Sequence, residues 1–165
     1  FLRERRKLVP EAIEYGCMLE VPALADMLDL LAPKLSFISV GTNDLTQFLF
    51  AADRANPKLA ARYDWLSPAI LRFLKRIVDA TTGHQVRLGL CGEMGGRRLE
   101  ALALLGLGYR RVSITPVSVG PIKELIRQID LAEISTFMNQ LVAQPPADPR
   151  HAIAQWAQDR GIEVD

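Results

Sequence analysis

Three observations predict an α/β fold of successive strand–helix units. Short apolar runs alternate four times with stretches of helical spacing. The runs are nearly continuous in apolar residues, as in parallel strands covered on both faces. Unusual polar groups gather where the runs end: Glu20 after Cys17-Met18-Leu19, Gly41-Thr42-Asn43-Asp44 after Leu35 to Val40, and Cys91-Gly92-Glu93 after Val86 to Leu90.

In chain order, Cys17 to Val21 reads as the first strand, and Pro22 to Leu31 as a helix stopped by Pro33. Leu35 to Val40 is the second strand, with Leu45 to Ala52 helical after it. Asp53 to Trp65 is polar and irregular, a candidate active-site loop. Ser67 to Thr81 has Ser67 at the N-cap and Pro68 in the first turn of a helix. Arg87 to Leu90 is the third strand, and Arg97 to Leu105 a helix ended by Gly106 or Gly108. Arg111 to Ile114 is the fourth strand, followed by a helix from Pro121 to Ile129. Two further helices, Leu131 to Ala143 and Pro149 to Arg160, are separated by Pro145-Pro146.

Four βα units imply parallel strands and right-handed crossovers. A doubly wound sheet and a TIM (β/α)8 barrel both fit that order. Glu20-Val21-Pro22 stands where a dinucleotide-binding sheet would carry its glycine-rich turn. Functional groups at several successive strand ends favour the barrel, whose sites lie on the carboxyl-terminal face. A full barrel takes about 250 residues, so the 165 here are read as its second half plus two extra C-terminal helices. The chain begins at Phe1 without Met, and is read as a fragment of a longer protein.

Composition narrows the function classes. The apolar fraction is 49% and the charged fraction 24%, ordinary values for a soluble domain. A net charge of +1 gives no electrostatic case for nucleic acid or an anionic membrane. The one basic run, Arg3-Glu4-Arg5-Arg6-Lys7, reads as a solvated helix face. No apolar stretch suits a membrane span or a signal peptide. Two cysteines are too few for a disulfide framework and fit a reducing cytoplasm, and two distant histidines argue against a histidine-rich zinc site.

The strand ends carry the chemistry. Glu20 and Asp44, with Asn43 beside them, form an oxygen-rich set suited to a hard divalent cation such as Mg²⁺, which takes one or two carboxylates and leaves its other positions to water and substrate. Each carboxylate alone could equally cap a helix. Cys91 lies among glycines, which let a substrate approach the backbone, and a thiol there can act as general acid or base. Its bland alternative is a small buried hydrophobe. Arg54 could meet a phosphate or carboxylate, or simply face solvent. Cys17, Trp65, Phe73 and Trp156 read as packing residues, and His84 and His151 as structural or exposed.

These segments resemble a known family. Cys-Met-Leu-Glu-Val-Pro (17–22), Ser-Val-Gly-Thr-Asn-Asp-Leu-Thr-Gln (39–47), Ala-Asp-Arg (52–54), Leu-Ser-Pro-Ala-Ile-Leu-Arg (66–72) and Leu-Cys-Gly-Glu-Met (90–94) are similar to the carboxyl-terminal barrel of phosphoenolpyruvate (PEP)-utilising enzymes. Within these the chain looks most like enzyme I of the bacterial phosphotransferase system, including its nitrogen-related form. Residues 105–114 and 120–127 extend the similarity.

The resemblance implies that Glu20 and Asp44 hold Mg²⁺, that Asn43, Arg54 and Asp44 bind PEP, and that Cys91 protonates the enolate to give pyruvate. It also implies a cytoplasmic homodimer. The phosphoryl group would pass to a histidine, and then to a phosphocarrier protein, through an amino-terminal domain that these residues do not contain. Neither His84 nor His151 matches the motif of that histidine, and the family's other phosphate-binding arginines come from the first half of the barrel. After Cys91-Gly92-Glu93-Met94 the family tends to Ala-Gly-Asp-Pro, where Gly95-Gly96-Arg97-Arg98 stands here. Pyruvate phosphate dikinase, PEP synthase and a PEP-binding dimerisation module without turnover are the alternative readings. A half barrel with open strand edges is expected to self-associate and to be inactive by itself.

Overall fold

The computed structural model describes residues 10–53, 55–60 and 64–164. Four strands, β1 (Gly16–Leu19), β2 (Phe37–Gly41), β3 (Arg87–Cys91) and β4 (Val112–Ser113), form one sheet. Neighbours in the sheet are neighbours in sequence, and all are parallel. Helices α1 (Pro22–Ala25) and α2 (Leu28–Leu31) follow β1, and α3 (Thr42–Phe50), α4 (Pro57–Ala60) and α5 (Pro68–Thr81) follow β2. Helix α6 (Arg98–Leu107) follows β3, α7 (Pro116–Gln128) follows β4, and α8 (Leu131–Ala143) and α9 (Pro149–Gln158) come last. A doubly wound sheet would reverse its strand order at a switch point. Among the described strands there is none, which is consistent with half a barrel.

Side-chain alternation gives the sheet two unlike faces. Leu19, Ile38, Val40 and Leu90 are at most 1% exposed and pack under the helices. Phe37, Ser39 and Gly41 of β2 share the other face with Met18 of β1 and Gly89 and Cys91 of β3. There Met18 is 49% and Phe37 39% exposed. The expectation that both faces are covered therefore holds for one face only among the described residues. The short, apolar strands mislead because residues lining a barrel interior are apolar too.

The helical layer packs on a few clear stripes. Helix α5 buries Ile70, Leu71, Leu74 and Ile77, the spacing of one apolar face. Helix α6 is buried almost all round, from Leu99 to Leu107, between the sheet and α8. Its Gly106 sits where a Cβ would come within 2.4 Å of Met138 Cγ and 3.0 Å of the Ile134 carbonyl oxygen, so α8 rests directly on the α6 backbone. Gly106→Val is expected to destabilise the fold by about 3 kcal/mol, well beyond the gain in helix propensity of under about 1 kcal/mol. The denaturation midpoint measures this, and an unchanged midpoint would refute the packing.

Several boundaries differ from expectation for local reasons. Pro22 to Leu31 is not one helix; it breaks at Asp26-Met27 and ends in a 3-10 turn, Ala32–Lys34, which contains Pro33 in its first turn. Helix α3 starts at Thr42 rather than Leu45, because the chain enters it directly from β2 with Gly41 as N-cap. The irregular stretch 53–65 contains the short α4. Helix α6 runs through Gly106 and stops at Gly108, whose φ of 114° is the left-handed C-cap. Strand β4 shrinks to Val112–Ser113, and α7 begins at Pro116 with Pro121 inside it. Ser67 occupies the N-cap of α5 without a side-chain cap bond, and its Oγ is buried without a partner. Asp130 and Asp148 do cap, accepting from Ala132 and Glu133 and from His151.

Candidate active site

The sheet register builds the site. Leu19 pairs with Val40, so Glu20 comes level with Gly41, which pairs with Cys91, which pairs with Ser113. These four residues form a row across the carboxyl ends of the strands, on the face away from the helices. At about 4.8 Å per strand, Glu20 and Cys91 are set about 10 Å apart with only a glycine between them. That gap is open to the side chains of the row itself. A larger residue at position 41 would close it.

Gly41 is required for a second reason. A Cβ there would stand 2.6 Å from Glu20 Cγ and 2.7 Å from Glu20 Oε1, so the carboxylate of Glu20 lies over the bare Cα. Glu20 is thus a neighbour of β2 and not the cap of α1, whose N-cap is Val21. Asn43 and Asp44 occupy the first turn of α3, where the helix dipole favours negative charge.

The connection after β3 is fastened to that same turn. Thr42 Oγ1 donates to the Cys91 carbonyl at 3.0 Å, and the Glu93 N–H donates to Asn43 Oδ1 at 3.3 Å. Gly92 adopts φ 117°, and a Cβ on it would lie 2.4 Å from Thr42 Oγ1. Only glycine satisfies both the dihedral and the close approach. Asn43 uses its side-chain carbonyl internally, which leaves its NH2 group as the donor for a ligand.

Cys91 is half-buried, and its thiol donates to Met18 Sδ across 3.5 Å. Met18 reaches β3 because Ser39 and Gly41, the β2 residues between them, are small. Cys17, by contrast, packs among the core side chains, and desolvation there pushes its thiol pKa up. It is a packing residue, as expected. His84 and His151 are both exposed.

Beyond the row, the closing end of the β2–α5 connection is pinned. Asp64 accepts from the Leu66 N–H at 2.8 Å and from Arg150 Nε and Nη2 at 3.0 and 2.7 Å. Arg150 Nη2 also meets buried Glu100 at 2.7 Å. Burial raises the Asp64 pKa, but the Arg150 and Leu66 hydrogen bonds outweigh it and hold the carboxyl below its ordinary value. Trp65 is partly buried against the core, and the Arg97 guanidinium lies 4.8 Å above its ring centroid.

The structure therefore gathers Glu20, Asn43, Asp44 and Cys91 at one edge of the sheet. Arg54 and the basic run at 3–7 lie outside the described residues. Sequence reasoning missed Thr42 and Met18. Both stood beside residues singled out, but only the register shows which strand they face. Among the described residues no three His, Cys, Asp or Glu side chains cluster as a metal-binding group. A Mg²⁺ site of one or two carboxylates needs no such cluster, and the hard oxygens of Glu20 and Asp44 suit that ion. No helix among the described residues is long and apolar enough to cross a membrane.

Comparison with known proteins gives the family. Residues 2–131 match the family described as PEP-utilising enzyme, PEP-binding domain. The chain is 43% identical over 164 residues to a Salmonella typhimurium protein named phosphoenolpyruvate-dependent phosphotransferase system, covering 97% of this chain and 22% of the relative. An Escherichia coli protein of the same name is 45% identical over 148 residues, covering 89% and 20%. The Borreliella burgdorferi phosphoenolpyruvate-protein phosphotransferase is 39% identical over 141 residues, covering 86% and 25%. The chain thus spans a fifth to a quarter of the length of these relatives. On the matched residues, the chain belongs to the PEP-utilising enzymes, within their PEP-binding domain.

Proposed function

We propose that this chain is the second half of the PEP-binding (β/α)8 barrel of a PEP–protein phosphotransferase, the enzyme I of a phosphotransferase system. The observation that carries the reading is the row Glu20, Gly41, Cys91, in which a carboxylate lies over a bare glycine and a thiol stands on the next strand. The names of the relatives favour it over the dikinase and synthase readings.

In this reading PEP lies at the strand ends beside Glu20, whose own carboxylate covers Gly41. Asn43 donates its NH2 group to the phosphoryl oxygens, oriented by the hydrogen bond its carbonyl accepts from Glu93. Arg54 is the cationic partner for the same oxygens. Glu20 and Asp44 would hold Mg²⁺, which when bound neutralises charge on the phosphoryl and carboxylate groups of PEP. As the P–O bond breaks toward an acceptor histidine, its electron pair passes to the enolate. The Cys91 thiol then gives its proton to the methylene carbon, forming pyruvate and leaving a thiolate to be reprotonated from solvent.

The acceptor histidine and the remaining phosphate ligands belong to segments preceding Phe1 in the complete enzyme. The protein works in the cytoplasm as a homodimer, passing the phosphoryl group to a phosphocarrier protein. Among the described residues β1 and β4 pair with no further strand, and these edges and the exposed Met18 and Phe37 favour burial by the other half of the barrel.

The test is pyruvate formation from PEP and Mg²⁺ with a phosphocarrier protein present. The complete enzyme is expected to turn over, and the 165-residue chain alone is not. Pyruvate formation that depends on AMP and pyrophosphate in place of the carrier, with ATP as a product, would overturn the assignment in favour of a dikinase.

A further inference from the structure

We propose that Arg150 is a positioning residue for PEP binding, acting from helix α9 through Asp64 on the connection that begins with Asn43 and Asp44. This deepens the proposed function and rests on it. Arg150 lies beyond residues 2–131, the part of the chain that matches the PEP-binding family. It nonetheless makes three side-chain hydrogen bonds to residues within that part, two to Asp64 and one to Glu100.

The contact joins the two connections that leave the strand ends bearing Gly41 and Cys91, on either side of the proposed PEP-binding cleft. The one after β2 opens with Asn43 and Asp44 and closes at Asp64 to Leu66. The one after β3 opens at Gly92, next to Cys91, and leads into α6, which carries Glu100 on its first turn. Arg150 spans the gap with a planar fork, bidentate on Asp64, while the same Nη2 meets Glu100. A second tie lies beside it, where Trp65 stacks beneath Arg97. Two neighbouring ties fix a relative orientation where one would leave a pivot.

Glu100 explains why the bond to α9 must persist. It is 2% exposed, and among the described residues Arg150 is the cation that meets its carboxylate. A buried carboxylate without a partner is strongly destabilising. The fork of Arg150 is therefore held in place from the α6 side, and Asp64 is the arm through which it acts on the cleft. Asp64 also fixes the Leu66 N–H, so the turn entering α5 is formed independently of the arginine.

The experiment uses Asp64→Asn in the complete enzyme, because it leaves Glu100 paired and the Leu66 turn intact. One charge-assisted hydrogen bond is lost and a second weakened, so KM for PEP is expected to rise about tenfold. The kcat is expected to stay within about twofold, since the proposed proton donor is untouched. Arg97→Leu, which cuts the second tie alone, is expected to raise KM in the same direction by less, and Arg150→Lys to restore part of the loss seen with Arg150→Gln. A lowered Tm with unchanged KM in all of these would reduce Arg150 to a structural residue and overturn the proposal. Failure of the wild-type enzyme to bind PEP would instead sink the functional reading.

Discussion

Replacing Cys91 by alanine in the complete enzyme is expected to lower kcat for pyruvate formation by about 10²–10⁴-fold, the range for a lost general acid. KM for PEP should change by less than about threefold, because the hydrogen bond of the Cys91 side chain goes to Met18 and not to the proposed phosphate-binding groups. Its backbone carbonyl, which anchors Thr42, survives the substitution. The thiol donates to the thioether of Met18, a weak and uncharged acceptor that yields the proton readily to carbon. Equal losses in kcat/KM and in PEP affinity would show that the side chain binds substrate and does not supply the proton. Methyl-proton exchange of pyruvate in D2O gives a second readout. It should vanish in Cys91→Ala while PEP still protects the protein from thermal unfolding.

How much of this was legible in the sequence differs from residue to residue. The four strand–helix units and the clustering of polar groups at strand ends follow from apolar runs and turn residues, and the structure gives them the same order. The break in the first helical stretch was not legible. Pro22 to Leu31 has helical spacing, and local spacing cannot show that Ala25 and Leu28 are the positions that meet the core while the chain turns between them. The reach of Arg150 was illegible for the same reason: Asp64 lies 86 residues away, and no local pattern encodes that pairing. Asn43 was read as a ligand-binding group from its place at a strand end. That its carbonyl is already engaged by Glu93, which leaves only the NH2 group, needed the fold.

Glu20→Gln should have an effect of similar size, removing Mg²⁺-dependent PEP turnover by about 10³-fold or more, as expected when a hard cation loses a charged oxygen ligand whose field stabilises the reaction by several kcal/mol. The substitution keeps the size of the side chain and its seat over Gly41, so the fold and the row are preserved. Titration with Mn²⁺, followed by its electron paramagnetic resonance signal, separates binding from chemistry. The free ion should persist to higher protein concentration in the variant. Gly41→Ala makes the complementary change, since its Cβ would displace the Glu20 carboxylate without removing its charge. If Glu20 acts by where it stands, Gly41→Ala must also weaken Mn²⁺ binding. If Glu20 acts only as distant negative charge, Gly41→Ala will bind Mn²⁺ normally. Normal binding by both variants would exclude Glu20 as a ligand, and the row would then lose its metal-bearing end while keeping Cys91 at the other.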